Sequence, residues 1–165
     1  MKQIKLTGSE LCSLIRESVR LALREGIEFQ DDQDEYGGYA VNAYYNGHEV
    51  GYLHYYICTV GDICSNIAES VEGGEDIAYD VARTLSSNQE VIDLADIAVD
   101  RNFRNLGFSK KILEHMLDKF KGYQFYLRVS PTDGVDRESL ANSVMNHGFL
   151  KVAESDDGGI FLIKR

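Results

Sequence analysis

The sequence predicts a mixed α/β (α+β) fold: a single, mostly antiparallel sheet flanked by helices, with a helical insert between its third and fourth strands. Three observations carry that prediction. Tyr39–Tyr45, then Asn46-Gly47, then Glu49–Val60 is the pattern of a β-hairpin, because Asn-Gly readily takes the positive φ that a two-residue turn needs. Val91–Val99 is short, mostly apolar and rich in β-branched residues, as in a strand buried on both faces. It runs through a Gly-containing loop into Ile112, Leu113, Met116, Leu117 and Phe120, which recur at helical spacing, and Gln124–Val129 then reads as another strand. Hairpins joined to a strand–helix–strand crossover imply one mixed sheet with helices on its faces.

The other elements follow in order. Lys2–Leu6 alternates polar and apolar residues as a first strand does, and Thr7 with Glu10 fits a capping box. Leu11, Leu14, Ile15, Val19, Ala22 and Leu23 then give a helix one apolar face up to Gly26. Glu28–Tyr36 is acidic and loop-like. Six tyrosines crowd the hairpin, Tyr39, Tyr44, Tyr45, Tyr52, Tyr55 and Tyr56, and read as cross-strand pairs on a half-buried sheet. In 61–90, Ile63, Ile67, Ala68 and Val71 suggest one short helix, Gly73-Gly74 stops it, and Ile77, Ala78, Val81, Ala82 and Leu85 suggest a second. This insert would line an acceptor site or serve as a homodimer surface, and the sequence leaves both open. Asp136 is the expected N-cap of a helix ending at Gly148, and Phe149–Val152 with Ile160–Ile163 make a last hairpin.

At 165 residues the chain is expected to form one domain, 1–165, large enough for a real core. A formal net charge of -10 and a pI near 4.8 leave no global basic face, so no nucleic-acid partner is expected. Soluble cations such as amines suit this acidity better. No apolar run is long enough to span a bilayer, and no signal peptide is recognised. Cys12, Cys58 and Cys64 are odd in number and irregularly spaced, which fits a reducing cytoplasm without disulfides, and no His or Cys spacing matches a metal site.

The chemistry concentrates after Val99. Arg101, Arg104, Lys110 and Lys111 fall in a stretch free of Asp and Glu, at the start of a helix, where acidic residues are normally favoured. Cations at the positive end of a helix make sense if a multiply charged anion sits there, and backbone amides beside Gly107 suit phosphate oxygens. The reading is a pyrophosphate cradle.

Arg104-x-x-Gly107-x-Ser109, after a strand ending in Val99, resembles the acyl-coenzyme A signature of the GNAT superfamily of N-acetyltransferases, with Ser109 a small-residue variant of its last position. Asn146-His147-Gly148-Phe149 resembles that family's late helix-to-strand junction. The resemblance implies the fold reached above and acetyl-CoA as co-substrate. It implies cofactor contacts at Ile97, Ala98, Val99, Arg104, Asn105, Leu106, Gly107, Phe108, Ser109 and Lys110, with the pantetheine arm between the Val91–Val99 and Gln124–Val129 strands. Main-chain N–H at Ile97 or Val99 would polarise the thioester carbonyl. The acceptor would be a primary amine that attacks the thioester directly in a ternary complex, with a carboxylate removing its proton. Asp93 matches a position where some members carry a basic glutamate; by strand alternation it shares a face with Ala95, Ile97 and Val99, and Asp96 points the other way. The family's frequent tyrosine acid is replaced by Val144, so either the thiolate leaves without a dedicated acid or Ser143 or a tyrosine from elsewhere substitutes, and Arg137 stands where an asparagine often contacts pantetheine. The alternative is a catalytically inactive acyl-CoA-binding or protein-interaction module of the same fold.

Overall fold

A computed structural model describes residues 7–10, 13, 26–33, 37–130 and 136–165. Its strands are β1 (Ile27–Gln33), β2 (Tyr39–Tyr45), β3 (His48–Cys58), β4 (Val91–Val99), β5 (Gln124–Val129), β6 (Leu150–Glu154) and β7 (Ile160–Lys164). Its complete helices are α1 (Val60–Ser70), α2 (Gly74–Thr84), α3 (Phe108–Lys119) and α4 (Arg137–Met145). The strands form one seven-stranded sheet in the order β1-β2-β3-β4-β5-β7-β6, antiparallel everywhere except between β4 and β5. That parallel pair is joined through α3, as a crossover requires.

Each face of the sheet buries its own apolar layer. On one, Phe108, Ile112, Leu113 and Met116 of α3 and Ala141 and Val144 of α4 pack on Leu53, Ile92, Leu94, Phe125 and Leu162. On the other, Ile63 and Ile67 of α1 and Ile77, Ala78 and Val81 of α2 pack on Val91, Tyr126, Phe161 and Ile163. The insert is therefore a structural layer covering the sheet, between the third and fourth described strands. Alternation on β5 and β7 explains the division, since Tyr126 and Phe161 face the insert and Phe125 and Leu162 face α3 and α4.

Local chemistry fixes the element ends. Thr7 and Glu10 make the expected capping contacts, Glu10 N donating to Thr7 Oγ1 at 3.3 Å and Thr7 N to Glu10 Oε2 at 2.7 Å. Thr59 and Asp62 form a second capping box at α1 that went unread in the sequence. Asp136 caps α4, accepting from Ser139 N at 3.2 Å. The predicted first strand at Lys2–Leu6 and most of the helix before Gly26 lie outside the described residues.

Glu28–Tyr36, expected to be loop-like, instead contributes β1, paired with β2 from Ile27↔Tyr45 to Gln33↔Tyr39. Ile27 and Phe29 alternate inward, and the Phe29 ring stacks on His115 with centroids 4.0 Å apart. Among the described strands this one lies at the sheet edge, where charge keeps an open ladder from pairing with another chain. The tyrosine expectation holds at Tyr39 and Tyr55, which face each other in register and stack at 5.3 Å.

Candidate active site

The site begins where β4 and β5 part. They pair only over Val91–Asp93 and Gln124–Tyr126, while β4 continues to Val99 along β3. From Leu94 onward the β5-facing edge of β4 has no ladder partner among the described residues, which suits its main-chain groups to an extended ligand. A bulge sits at this point: Leu94 opposes Tyr55 and Asp96 opposes His54, with Ala95 the extra residue.

The bulge corrects the expected alternation. Leu94, Ile97 and Val99 all belong to the layer beneath α3, whereas Asp93 opposes Tyr56 and Asp96 opposes His54 on the other face. One additional residue shifts the period, so Asp93 and Asp96 share a face that Ile97 and Val99 do not. The two carboxylates differ in their partners. Asp96 is exposed and accepts a hydrogen bond from the Tyr52 hydroxyl at 3.1 Å. Asp93 has no hydrogen-bonding or ion-pairing partner among the described residues, and burial pushes its carboxyl up to about 6.

Two cavities meet at the split, and Leu94 lines both. On the insert face a cavity of about 220 Å³ is bounded by α1 residues Ile63, Asn66 and Ser70 and by Asp93, Tyr126 and Arg128. On the opposite face a narrow, mostly apolar cleft is lined by Ile97, Ser109, Lys110, Leu127, Ser143 and His147. Ser143 thus sits on the cleft wall, exposed, while neighbouring Val144 is core and 5% exposed. His147, from the junction motif, hydrogen-bonds through Nδ1 with the Ser143 carbonyl at 2.9 Å.

The cleft runs to the start of α3. Asp100 accepts from Asn102 N at 2.8 Å, a single 3₁₀ turn follows over Arg101–Phe103, and Arg104 Nε donates to the Val99 carbonyl at 3.2 Å. Gly107 precedes α3 at φ 91°, a conformation that side chains resist, and no side chain caps the helix. The N–H groups of Phe108, Ser109 and Lys110 therefore lack intrahelical acceptors, and the first turn holds no acid. This donor set fits a pyrophosphate. Phe108 offers only its main chain, because its ring is 2% exposed and packs edge-on against Phe103 and Tyr45. Lys110 and Lys111 both approach Glu114, at 3.7 and 3.1 Å, so part of their charge is offset one turn in. Gly51 makes room behind the strand end, where a Cβ would strike the Ala98 carbonyl oxygen.

With this geometry in place, the acetyltransferase (GNAT) family model matches residues 10–135. The chain belongs to the GNAT acetyltransferase family. Among solved structures it is similar to a GNAT acetyltransferase from Elizabethkingia anophelis with acetyl-CoA bound, at 12% identity and a TM-score of 0.55, over 86% of this chain and 99% of that one. It is also similar to the NatC complex bound to Gag peptide and CoA, at 15% identity and a TM-score of 0.51, over 76% and 69% of the two chains. Naa50 of Arabidopsis thaliana, in complex with the bisubstrate analogue CoA-Ac-MVNAL, gives 16% identity and a TM-score of 0.50, over 76% and 72%. At these identities the likeness is one of fold. No curated protein matches the sequence.

Several site features went unread in the sequence. Arg128 and Tyr126 face the insert cavity from β5, and their alternation beyond Asp93's partner strand was the available signal. Arg137, noted only as a departure, donates to the Gly158 carbonyl and to Glu154 at 3.1 Å, and so ties α4 to the β6–β7 hairpin. No cluster of His, Cys, Asp or Glu among the described residues is arranged to hold a metal. No helix among them is long and apolar enough to cross a membrane.

Proposed function

We propose that this protein transfers the acetyl group of acetyl-CoA directly to a primary amine, with the coenzyme in the α3–α4 cleft and the amine in the insert cavity. The observation that carries the reading is Asp93, a desolvated carboxylate with no partner among the described residues, in a cavity that meets the coenzyme cleft at the β4–β5 split. A base poised near neutrality accepts a proton efficiently at physiological pH, and a free alkyl amine needs such a base because it is mostly protonated there.

The steps follow from the chain's own groups. Amides of Phe108, Ser109 and Lys110, with Arg104, hold the pyrophosphate, and the open edge of β4 orients the pantetheine arm. Asp93 takes the amine proton. The amine nitrogen then forms its bond to the acetyl carbon while a main-chain N–H at Ile97 or Val99 holds the developing oxyanion, and the carbon–sulfur bond breaks. The nitrogen loses its second proton as the amide forms, and the Ser143 hydroxyl relays that proton to the departing thiolate. Direct transfer is favoured over a cysteine intermediate because burial pushes the Cys58 thiol up to about 11 and raises that of Cys64, leaving both protonated at neutral pH. Asp96 is the weaker base candidate, since its carboxylate already accepts from Tyr52.

Thiol release from acetyl-CoA in the presence of a panel of primary amines tests the proposal. Amine-dependent release supports it, and coenzyme binding without release would support an inactive acyl-CoA-binding module instead.

A further inference from the structure

The insert cavity carries two opposite charges that do not pair with each other. Asp93 and Tyr126 are register partners across β4 and β5, and Arg128 lies two residues beyond Tyr126 on the same face. Diagonal neighbours in a sheet are typically about 7–8 Å apart, within reach of an arginine. Yet Arg128 turns away: its NH2 group bonds Asp157 at 2.6 Å, its guanidinium carbon lies 5.4 Å from the centre of the Phe161 ring, and its buried Nε has no acceptor among the described residues. Asp157 is an exposed hairpin residue, 56% accessible, so this pairing is a surface contact of small worth. Asp93 meanwhile has no partner among the described residues. A cavity with a carboxylate on one wall and a guanidinium on another, with space between, is complementary to a ligand that carries a cation and an anion close together.

Resting on the acetyltransfer reading, we infer that the acceptor is an α-amino acid, whose ammonium group faces Asp93 and whose carboxylate faces Arg128. The remaining walls suit a modest aliphatic side chain. Ile63, Ile67 and Val71 line one side, and the cavity of about 220 Å³ is smaller than sites that enclose drug-sized ligands, which run about 300–1,000 Å³. Arg128 is then a specificity residue that reads the carboxylate, and Asp157 competes with the ligand for it. A peptide or amine acceptor would lack the anion at that position and leave the guanidinium where it is.

The test compares leucine, leucinamide and isoamylamine, which share a side chain and an amine but differ in the carboxylate. Binding is read by calorimetry with coenzyme A present, and turnover by thiol release from acetyl-CoA. The expected result is leucine favoured about tenfold to a hundredfold over both analogues in binding, as befits a charge-assisted hydrogen bond. In Arg128→Met that ratio falls to about one. Should this variant fail to fold, Asp157→Asn gives the opposite reading, because freeing the guanidinium raises the preference for leucine. Equal or weaker binding of leucine in the wild type overturns the inference, whatever the turnover. Absence of thiol release with all three ligands overturns the acetyltransfer reading instead, so the two failures are separable.

Discussion

Replacing Asp93 with asparagine keeps the shape of the side chain and removes its charge, which makes it the sharpest probe of the site. In the folded protein the carboxyl is raised from 3.8 to about 6 because burial disfavours the charged form. Two pH units at about 1.4 kcal/mol each give roughly 3 kcal/mol as an upper bound on the cost of ionising it in place. Between those values the folded state holds the proton more tightly than the unfolded chain, so this residue's contribution to stability falls as pH rises through the window from 3.8 to 6 and stays low above it. Asp93→Asn is therefore expected to be more stable than the wild type at pH 8, by up to about 3 kcal/mol, and nearly equal to it at pH 4. Denaturant midpoints at the two pH values measure this. The same variant should lose about a hundredfold or more in kcat/KM near neutral pH, the usual worth of a general base. That loss should shrink as pH rises toward about 10, where an alkyl amine loses its proton unaided, and below pH 6, where Asp93 itself is protonated. Equal destabilisation at both pH values would refute the reasoning, because it would show the carboxylate holding a structural contact. A rate loss independent of pH would move the base elsewhere.

Other perturbations isolate the coenzyme side. Arg104→Glu reverses charge beside the phosphates on an exposed loop, so acetyl-CoA affinity should fall about tenfold or more in titration while the thermal midpoint changes little. Ser143→Ala should lower kcat about tenfold with acetyl-CoA affinity unchanged, and the deficit should shrink with acyl thioesters whose thiols are more acidic; a loss of affinity alone would make the serine a wall residue. Gly51→Ala forces a Cβ against the Ala98 carbonyl oxygen, and should cost about 1–3 kcal/mol in denaturant unfolding.

The fold was largely legible because its strongest signals are local. Asn46-Gly47 marks the β2–β3 turn with both residues at positive φ, and the Val91–Val99 and Gln124–Val129 strands were read with their observed limits. The helix start at Gly107, where the coenzyme is proposed to bind, was legible for a similar reason, since a helix start depends on a few adjacent residues. What escaped depends on partners distant in sequence. β1 is a strand because β2 supplies its ladder, and nothing in its acidic residues announces an edge. The faces of Asp93 and Asp96 were misassigned because strict alternation has no means of registering a bulge that only the pairing with β3 creates. Arg128 and the insert helix reach Asp93 across strands joined through α3, so their common cavity exists only in three dimensions.

The central claim is that the loop from Arg104 to Lys110 holds acetyl-CoA beside an amine-activating carboxylate, and calorimetric titration tests its first half most directly. Purified protein would be titrated with acetyl-CoA, coenzyme A lacking its 3′-phosphate, and adenosine monophosphate. The account predicts micromolar acetyl-CoA binding, about -8 kcal/mol, largely kept without the 3′-phosphate and lost with the nucleotide alone, since pyrophosphate and pantetheine carry the contacts. Absence of acetyl-CoA binding would contradict it, and would reduce the loop to the uncapped start of an ordinary helix.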